Sequence, residues 1–408
     1  MFVSTRIASM SESATLAVSA KAAAARAKGH DVIAFAMGEP DFDTPDNIKR
    51  AAIMALEKGM TKYAPTPGDK PAREAIARKL TEENGVPTSF EQVTVTAGAK
   101  HAIYMALQAI VEPGRGDEVL LPTPAWVSYK SLIELAGAKC VEVPGSVSNG
   151  FRVTPEQLAA AITPRTVGFM WNSPSNPCGT AYPAAEVRAL CDVLARHERI
   201  AVISDEIYEK LIYPEVAPGL VHFSPGSLEA LRERTITING MSKSYAMTGW
   251  RIGYMAAPRA MAKELIKLQG QMTNSIPSFF YPAIVEALTN SAAGVESMRV
   301  RFAARAGLIK RELDAIPGFV TVEPNAAFYA FPDVSAHFGK VSPRGARITG
   351  AQAFADALLD EAAVAVVPGE DFGACARGHV RLSFACGEEL IVRGVGRMRE
   401  WVAALRSA

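Results

Sequence analysis

Short β-branched and apolar runs recur along this chain, separated by amphipathic stretches whose apolar positions repeat at helical spacing. Thr15 to Lys28 is Ala-rich and stopped by Gly29, which predicts a helix, and DVIAFAMGEPDFDTP reads as a strand running into a loop. Thr44 is expected to cap a helix that begins at Pro45 and stops at Gly59, and a further helix is expected over Pro71 to Asn84. From EQVTVTAG onward, strands and helices alternate through DEVLLP, KCVEVP, TVGFMWN, RIAVISD, RTITIN and GWRIGYMAA. Such runs between amphipathic helices predict an α/β protein with a mainly parallel sheet covered on both faces. Beyond a long helix, VESMRVRFAARAGLIKREL, the segments FVTVEP, FYAFPD, VAVVPG and HVRLSF predict strands of a smaller α/β unit.

At 408 residues the chain exceeds what one hydrophobic core usually organises, so two domains are expected. Their expected extents are 41–294 for a large domain, and 1–40 with 295–408 for a small one. Lys and Arg number 43 against 42 Asp and Glu, a balance that argues against a polyanion-binding protein. Hydrophobic residues make up 49% and charged residues 21%, which excludes a disordered chain. The five cysteines lack CxxC spacing and read as reduced thiols. Neither a signal-peptide core nor a bilayer-length apolar run is present in the sequence, so a soluble cytoplasmic protein without a membrane or nucleic-acid partner is expected.

In open parallel sheets ligands bind beyond the carboxyl ends of the strands, so the residues just after each strand carry the most information. In INGMSKSYAMTGWRIGY, Ser242 and Lys243 follow a strand and Arg251 comes eight positions later, a grouping suited to Schiff-base chemistry beside a phosphate. In AVISDEIYE a strand delivers Asp205, with Tyr208 three residues on. A carboxylate there is either a helix cap or the partner of a protonated pyridine nitrogen. WNSPSNPCG places Asn176 in a proline-fixed loop, or forms an ordinary turn. TAGAKHA sets Gly98 at a helix N-terminus, where free N–H groups favour a phosphate. Gly394-Val-Gly396 lacks the last glycine of a dinucleotide fingerprint and lies within a helix.

Taken together, and with GEPDFDTP, KYAPTPG, WVSY, AFY, VVPGEDFG and HVRLSFA, these segments resemble the class I aminotransferases among the fold-type-I pyridoxal-phosphate enzymes. The match extends over nearly the whole chain. It implies that fold, with a mainly parallel seven-stranded sheet in the large domain, and pyridoxal 5′-phosphate as cofactor. By the same resemblance, Lys243 forms a Schiff base with the cofactor and moves the proton, Asp205 pairs with the pyridine nitrogen, and Tyr208 and Asn176 hold its phenolic oxygen. Trp126 stacks on the ring. Ser242, Arg251 and the Gly98 and Ala99 amides take the phosphate, helped by Tyr63 from a neighbouring subunit, which implies a homodimer. Arg381 clamps the substrate α-carboxylate, assisted by the Gly38 backbone.

SESATLAVSAKA is similar to a segment of the bacterial aspartate aminotransferase subgroup, in which the hydroxyl matching Thr15 and the lysine matching Lys100 help bind a distal carboxylate. Otherwise Thr15 is a helix cap and Lys100 a solvated side chain. The expected reaction is therefore transfer of the amino group of aspartate, or glutamate, to a 2-oxo acid such as 2-oxoglutarate by a ping-pong mechanism. The alternative is an aminotransferase for an aromatic, prephenate-like or specialised amino acid, or a β-lyase on the same cofactor. Departures from the subgroup include Ala125, Lys130, Ala326 and the aromatic run Phe279 to Tyr281, which either packs an interface or reaches a pocket.

Overall fold

The computed structural model describes residues 2–8, 10 and 12–407, except the side chain of Arg6. Strand β1 (Ile33–Ala34) precedes the helices Asp46–Glu57 and Lys70–Glu83. Seven strands follow: β2 (Val93–Thr96), β3 (Glu118–Thr123), β4 (Lys139–Pro144), β5 (Thr166–Asn172), β6 (Ala201–Asp205), β7 (Thr235–Gly240) and β8 (Gly253–Ala256). They form one sheet in the order β2-β8-β7-β6-β5-β3-β4, in which only β8 runs against the rest. Helices cover both faces. On one side Ala99–Ile110, Ser128–Leu135 and Arg259–Met272 supply apolar residues such as Ile103, Ile133 and Leu265, and on the other Ala184–Ala195 supplies Leu190 and Leu194. This two-sided burial explains why every position of β2 and β7 is buried, threonines included, instead of alternating between buried and exposed.

After the helix Ala292–Asp314 come β9 (Tyr329–Ala330), β10 (Val364–Ala365), β11 (Val367–Pro368) and β12 (Val380–Ser383). β12 lies between β11 and β9, antiparallel to both, and β10 pairs in parallel with β1. The two chain ends therefore share one core. Phe35, fully buried, packs on Gly394 of the helix Glu388–Ala403, where an added Cβ would lie 2.5 Å from the Phe35 ring. The Gly394-Val-Gly396 sequence thus serves helix packing. Truncating a phenylalanine buried this way costs about 3–5 kcal/mol.

Two expectations are corrected. FVTVEP is not a strand; only Val320 bridges, to Asp333, because this segment leads into an irregular turn before β9. Thr44 does not cap the helix Asp46–Glu57, whose N-cap is Pro45. Its hydroxyl donates to Ala246 O at 2.7 Å and accepts from Trp250 Nε1 at 3.2 Å, so a tertiary tie took the side chain that local pattern assigned to capping. In the aromatic run Tyr281 is fully buried, while Phe280, between Phe279 (4.6 Å) and Trp250 (5.2 Å), and Phe279 itself stay half-buried. Among the described residues, no helix is long and apolar enough to cross a membrane.

Candidate active site

The loops at the carboxyl ends of β2, β3, β5, β6 and β7 meet the segment Ser13–Leu16, the Gly38 loop, β9 and β12 around a cavity of about 280 Å³. All the site residues expected from sequence line it except Gly98, which stands one residue behind Ala99, and Tyr63, which is 92% exposed on the surface. Tyr129, Asn172, Thr248 and Tyr329 also line it and were given no role by the sequence.

Lys243 follows β7 in a turn where Ala246 (φ 52°) and Arg251 (φ 55°) both take left-handed backbone. Such positions cost roughly 1–3 kcal/mol each and persist where the surroundings enforce them. The Lys243 ammonium donates to Gly38 O at 2.6 Å. Burial lowers its pKa to about 8, with Arg251 and Arg381 adding to the effect and Glu39 and Asp205 opposing it. The Gly38 loop is fastened on three sides. Asp41 accepts two hydrogen bonds from the buried Arg305 (2.6 and 2.9 Å), Thr44 reaches Ala246, and Glu39 accepts from Thr248.

Asp205 ends β6 and is 3% exposed. Burial raises its pKa to about 6, against a 2.7 Å hydrogen bond donated by Tyr129 to Oδ2 and one from Ile207 N to Oδ1 at 3.2 Å. Asn172 ties the neighbouring strand to it, donating to Asp205 O at 3.0 Å and accepting from Asn176 N at 3.2 Å. Glu206, one residue on, points to the opposite face as strand geometry requires. There it accepts from Asn84, Ser204 and Ser224 and pairs with His222 at 2.9 Å, clamping the helix Lys70–Glu83 beneath the strand.

Arg381, on β12, is 1% exposed. It donates to Asn176 Oδ1 (3.0 Å), Ala36 O (2.6 Å) and Thr15 Oγ1 (3.4 Å), and its Nε is buried without a partner among the described residues. Thr15 is therefore inside the first turn of the helix Ala14–Ala27 and tied to Arg381, not a cap. Because an arginine only donates, Asn176 presents Oδ1 to it and keeps its NH₂ for another partner. Tyr208 and Tyr329 share a hydrogen bond of 2.8 Å between their hydroxyls. Trp126 packs edge-on to Tyr129 at 5.2 Å, with the Lys100 ammonium 4.7 Å from its ring centre. Burial and then Arg251 lower the pKa of Lys100.

Gly98 (φ 85°) caps the helix Ala99–Ile110, and an added Cβ would lie 2.5 Å from Arg251 Nη2. Gly253 likewise leaves room for the Ala99 amide, 2.3 Å from where its own Cβ would be. Backbone N–H groups, a guanidinium and the Ser242 hydroxyl are thus drawn into one corner, chemistry that suits a phosphate. With a depressed-pKa lysine and a buried carboxylate in the same cavity, the residues fit pyridoxal phosphate.

A family model described as aminotransferase class I and II matches residues 30–397. The chain belongs to that family. Aminotransferases of this class use pyridoxal 5′-phosphate, and the fold is theirs. The chain is 43% identical to an aspartate/prephenate aminotransferase of Cereibacter sphaeroides, over 99% of each chain. It is 42% identical to an aspartate aminotransferase of Geobacillus stearothermophilus, over 99% of this chain and 100% of the other. Among solved structures, the aspartate aminotransferase from Rhizobium meliloti superposes with a TM-score of 0.94 at 39% identity, covering 99% of this chain and 100% of that one. That from Thermus thermophilus with maleate gives 0.90 at 41% identity, covering 98% and 99%.

Proposed function

We propose that this aminotransferase moves the amino group of aspartate, or of glutamate, to a 2-oxo acid such as 2-oxoglutarate in two half-reactions. The observation that carries the reading is a single cavity holding Lys243, Asp205 and Arg381, with Thr15 and Lys100 at its rim. Bound pyridoxal phosphate supplies an electron sink for negative charge developing at the substrate α-carbon. Lys243, with its pKa near 8, holds the cofactor and then serves as the base that takes and returns the α-proton. Asp205, kept ionised by Tyr129, holds the pyridine nitrogen protonated. Asn176 offers its free NH₂ and Tyr208 its hydroxyl to the phenolic oxygen.

Ser242, Arg251 and the Gly98 and Ala99 amides hold the phosphate. Trp126 stacks on the ring. Arg381, already oriented by Asn176 and Ala36, grips the α-carboxylate through its remaining N–H groups, with Gly38 beside it. Thr15 and Lys100 meet the distal carboxylate.

The protein would work in the cytoplasm as a homodimer, with Tyr63, solvent-facing in the single chain, completing the phosphate site of the partner. The unit formed by 1–40 and 295–408 would close over 41–294. The Cereibacter relative is named for prephenate as well as aspartate, which supports prephenate as a second substrate.

A donor screen that follows the absorbance of the bound cofactor tests the reading. Aspartate and glutamate should each convert it to the pyridoxamine spectrum, and no change with either would overturn the substrate assignment. Conversion by prephenate's amino partner alone would favour the second substrate class. Release of pyruvate or ammonia without a 2-oxo acid would indicate a lyase.

A further inference from the structure

Tyr208 and Tyr329 come from different parts of the chain, the turn after β6 and the strand β9, and their hydroxyls meet at 2.8 Å in the buried wall of the cavity. Tyr329 is built into place. Its hydroxyl occupies space that exists because Gly38 lacks a Cβ, which would lie 2.2 Å away, and its carbonyl oxygen stands 1.9 Å from where a Cβ on Gly179 would be. The Arg381 guanidinium lies 4.9 Å from its ring centre, and Phe328 and Tyr208 pack around it.

Each phenol has one proton, and the pair can be arranged in two ways. Were Tyr208 the donor, its single proton would be spent on Tyr329, its hydrogen-bond partner in the wall, and none would be left for a ligand oxygen standing before Tyr208. With Tyr329 as donor, both protons are used once a ligand oxygen stands before Tyr208. Burial raises both phenol pKa values and Arg381 opposes the rise in each, so both hydroxyls keep a proton to donate.

We propose that Tyr329 is a positioning residue that donates to Tyr208 and thereby orients and strengthens Tyr208 as the hydrogen-bond donor to the cofactor's phenolic oxygen. The effect is the mutual polarisation of hydrogen bonds in series. This inference rests on the cofactor reading above. It also joins the two ends of the site, because Tyr329 pairs with Ser383 on β12, two residues from Arg381.

The test is a spectrophotometric pH titration of the holoenzyme. A donor on the phenolic oxygen favours the deprotonated chromophore, so Tyr329→Phe, which keeps the ring, should raise the midpoint by roughly 0.2–0.6 pH unit. Tyr208→Phe should raise it further, and Tyr208→Phe/Tyr329→Phe should match Tyr208→Phe alone. An unchanged or lowered midpoint in Tyr329→Phe overturns the proposal, as does an equal shift in the Tyr208→Phe background. If instead the wild-type protein shows no cofactor band that Lys243→Ala abolishes, it is the underlying reading of the site that fails.

Discussion

The hydroxyl of Tyr129 donates to Asp205 Oδ2 at 2.7 Å in the wall of the cavity, both residues being almost fully buried. This phenol is the one side-chain donor to that carboxylate among the described residues, and it opposes the burial that drives the Asp205 pKa upward. Tyr129→Phe should therefore raise the Asp205 pKa further and weaken cofactor binding by roughly 10- to 150-fold, the equivalent of one hydrogen bond to a charge. Equilibrium titration of the cofactor-free protein, repeated from pH 6 to 8, measures it. An unaltered affinity throughout would show that the hydroxyl is only packing.

Asp205 also bears on stability. Its folded pKa, about 6, lies above the unfolded value of 3.8, so its favourable contribution is complete below 3.8 and is lost as pH rises through 6. At pH 7.5 the ionised group penalises the cofactor-free protein by roughly 2–3 kcal/mol. Asp205→Asn keeps an acceptor for Tyr129 but no charge. Thermal unfolding of the cofactor-free variant should show a higher Tm than wild type at pH 7.5, with the gain shrinking as pH falls from 6 towards 4. A gain independent of pH would contradict the assignment.

In the proposed function, capture of the cofactor requires the free amine of Lys243. Because burial lowers its pKa to about 8, the rate at which cofactor-free protein takes up pyridoxal phosphate should climb with pH about a midpoint near 8, not 10.5. Stopped-flow absorbance gives this profile directly. A midpoint above 10 would mean that the lysine is solvated in the cofactor-free state.

Gly98→Ala places a methyl group 2.5 Å from Arg251 Nη2 on backbone with φ 85°. Strain of about 1–3 kcal/mol, together with displacement of the guanidinium, should weaken pyridoxal phosphate binding at least tenfold. Binding of the dephosphorylated cofactor should change much less. Equal losses for both ligands would place the phosphate elsewhere.

Lys243, Asp205, Asn176 and Gly98 stood out because each comes at, or within four residues of, the end of a strand, and in a doubly wound sheet that position is where ligands go. The helices were legible for a similar reason, with Gly29, Gly59 and Gly85 marking stops at positive φ. The partnerships were not legible. Tyr129 meets Asp205 across 76 positions and Tyr208 meets Tyr329 across 121, and nothing in local spacing encodes such pairings. Thr44 before Pro45 carries the signature of a cap, yet a longer-range bond to Ala246 prevailed. The short strands β1, β10 and β11 fall inside runs read as strands, but nothing local pairs β1 with β10, 331 positions on.

The pairing of β1 with β10 has a consequence in time. Ile33 leaves the ribosome early but waits for Val364, and the guanidinium that holds Ala36 O arrives only with residue 381 of 408. All seven strands of the large sheet have been synthesised by Ala256, whereas the wall that Arg381 contributes to the cavity arrives last. A nascent chain that ends before β12 lacks Arg381, and Ala36 O and Asn176 Oδ1 are left without its N–H groups.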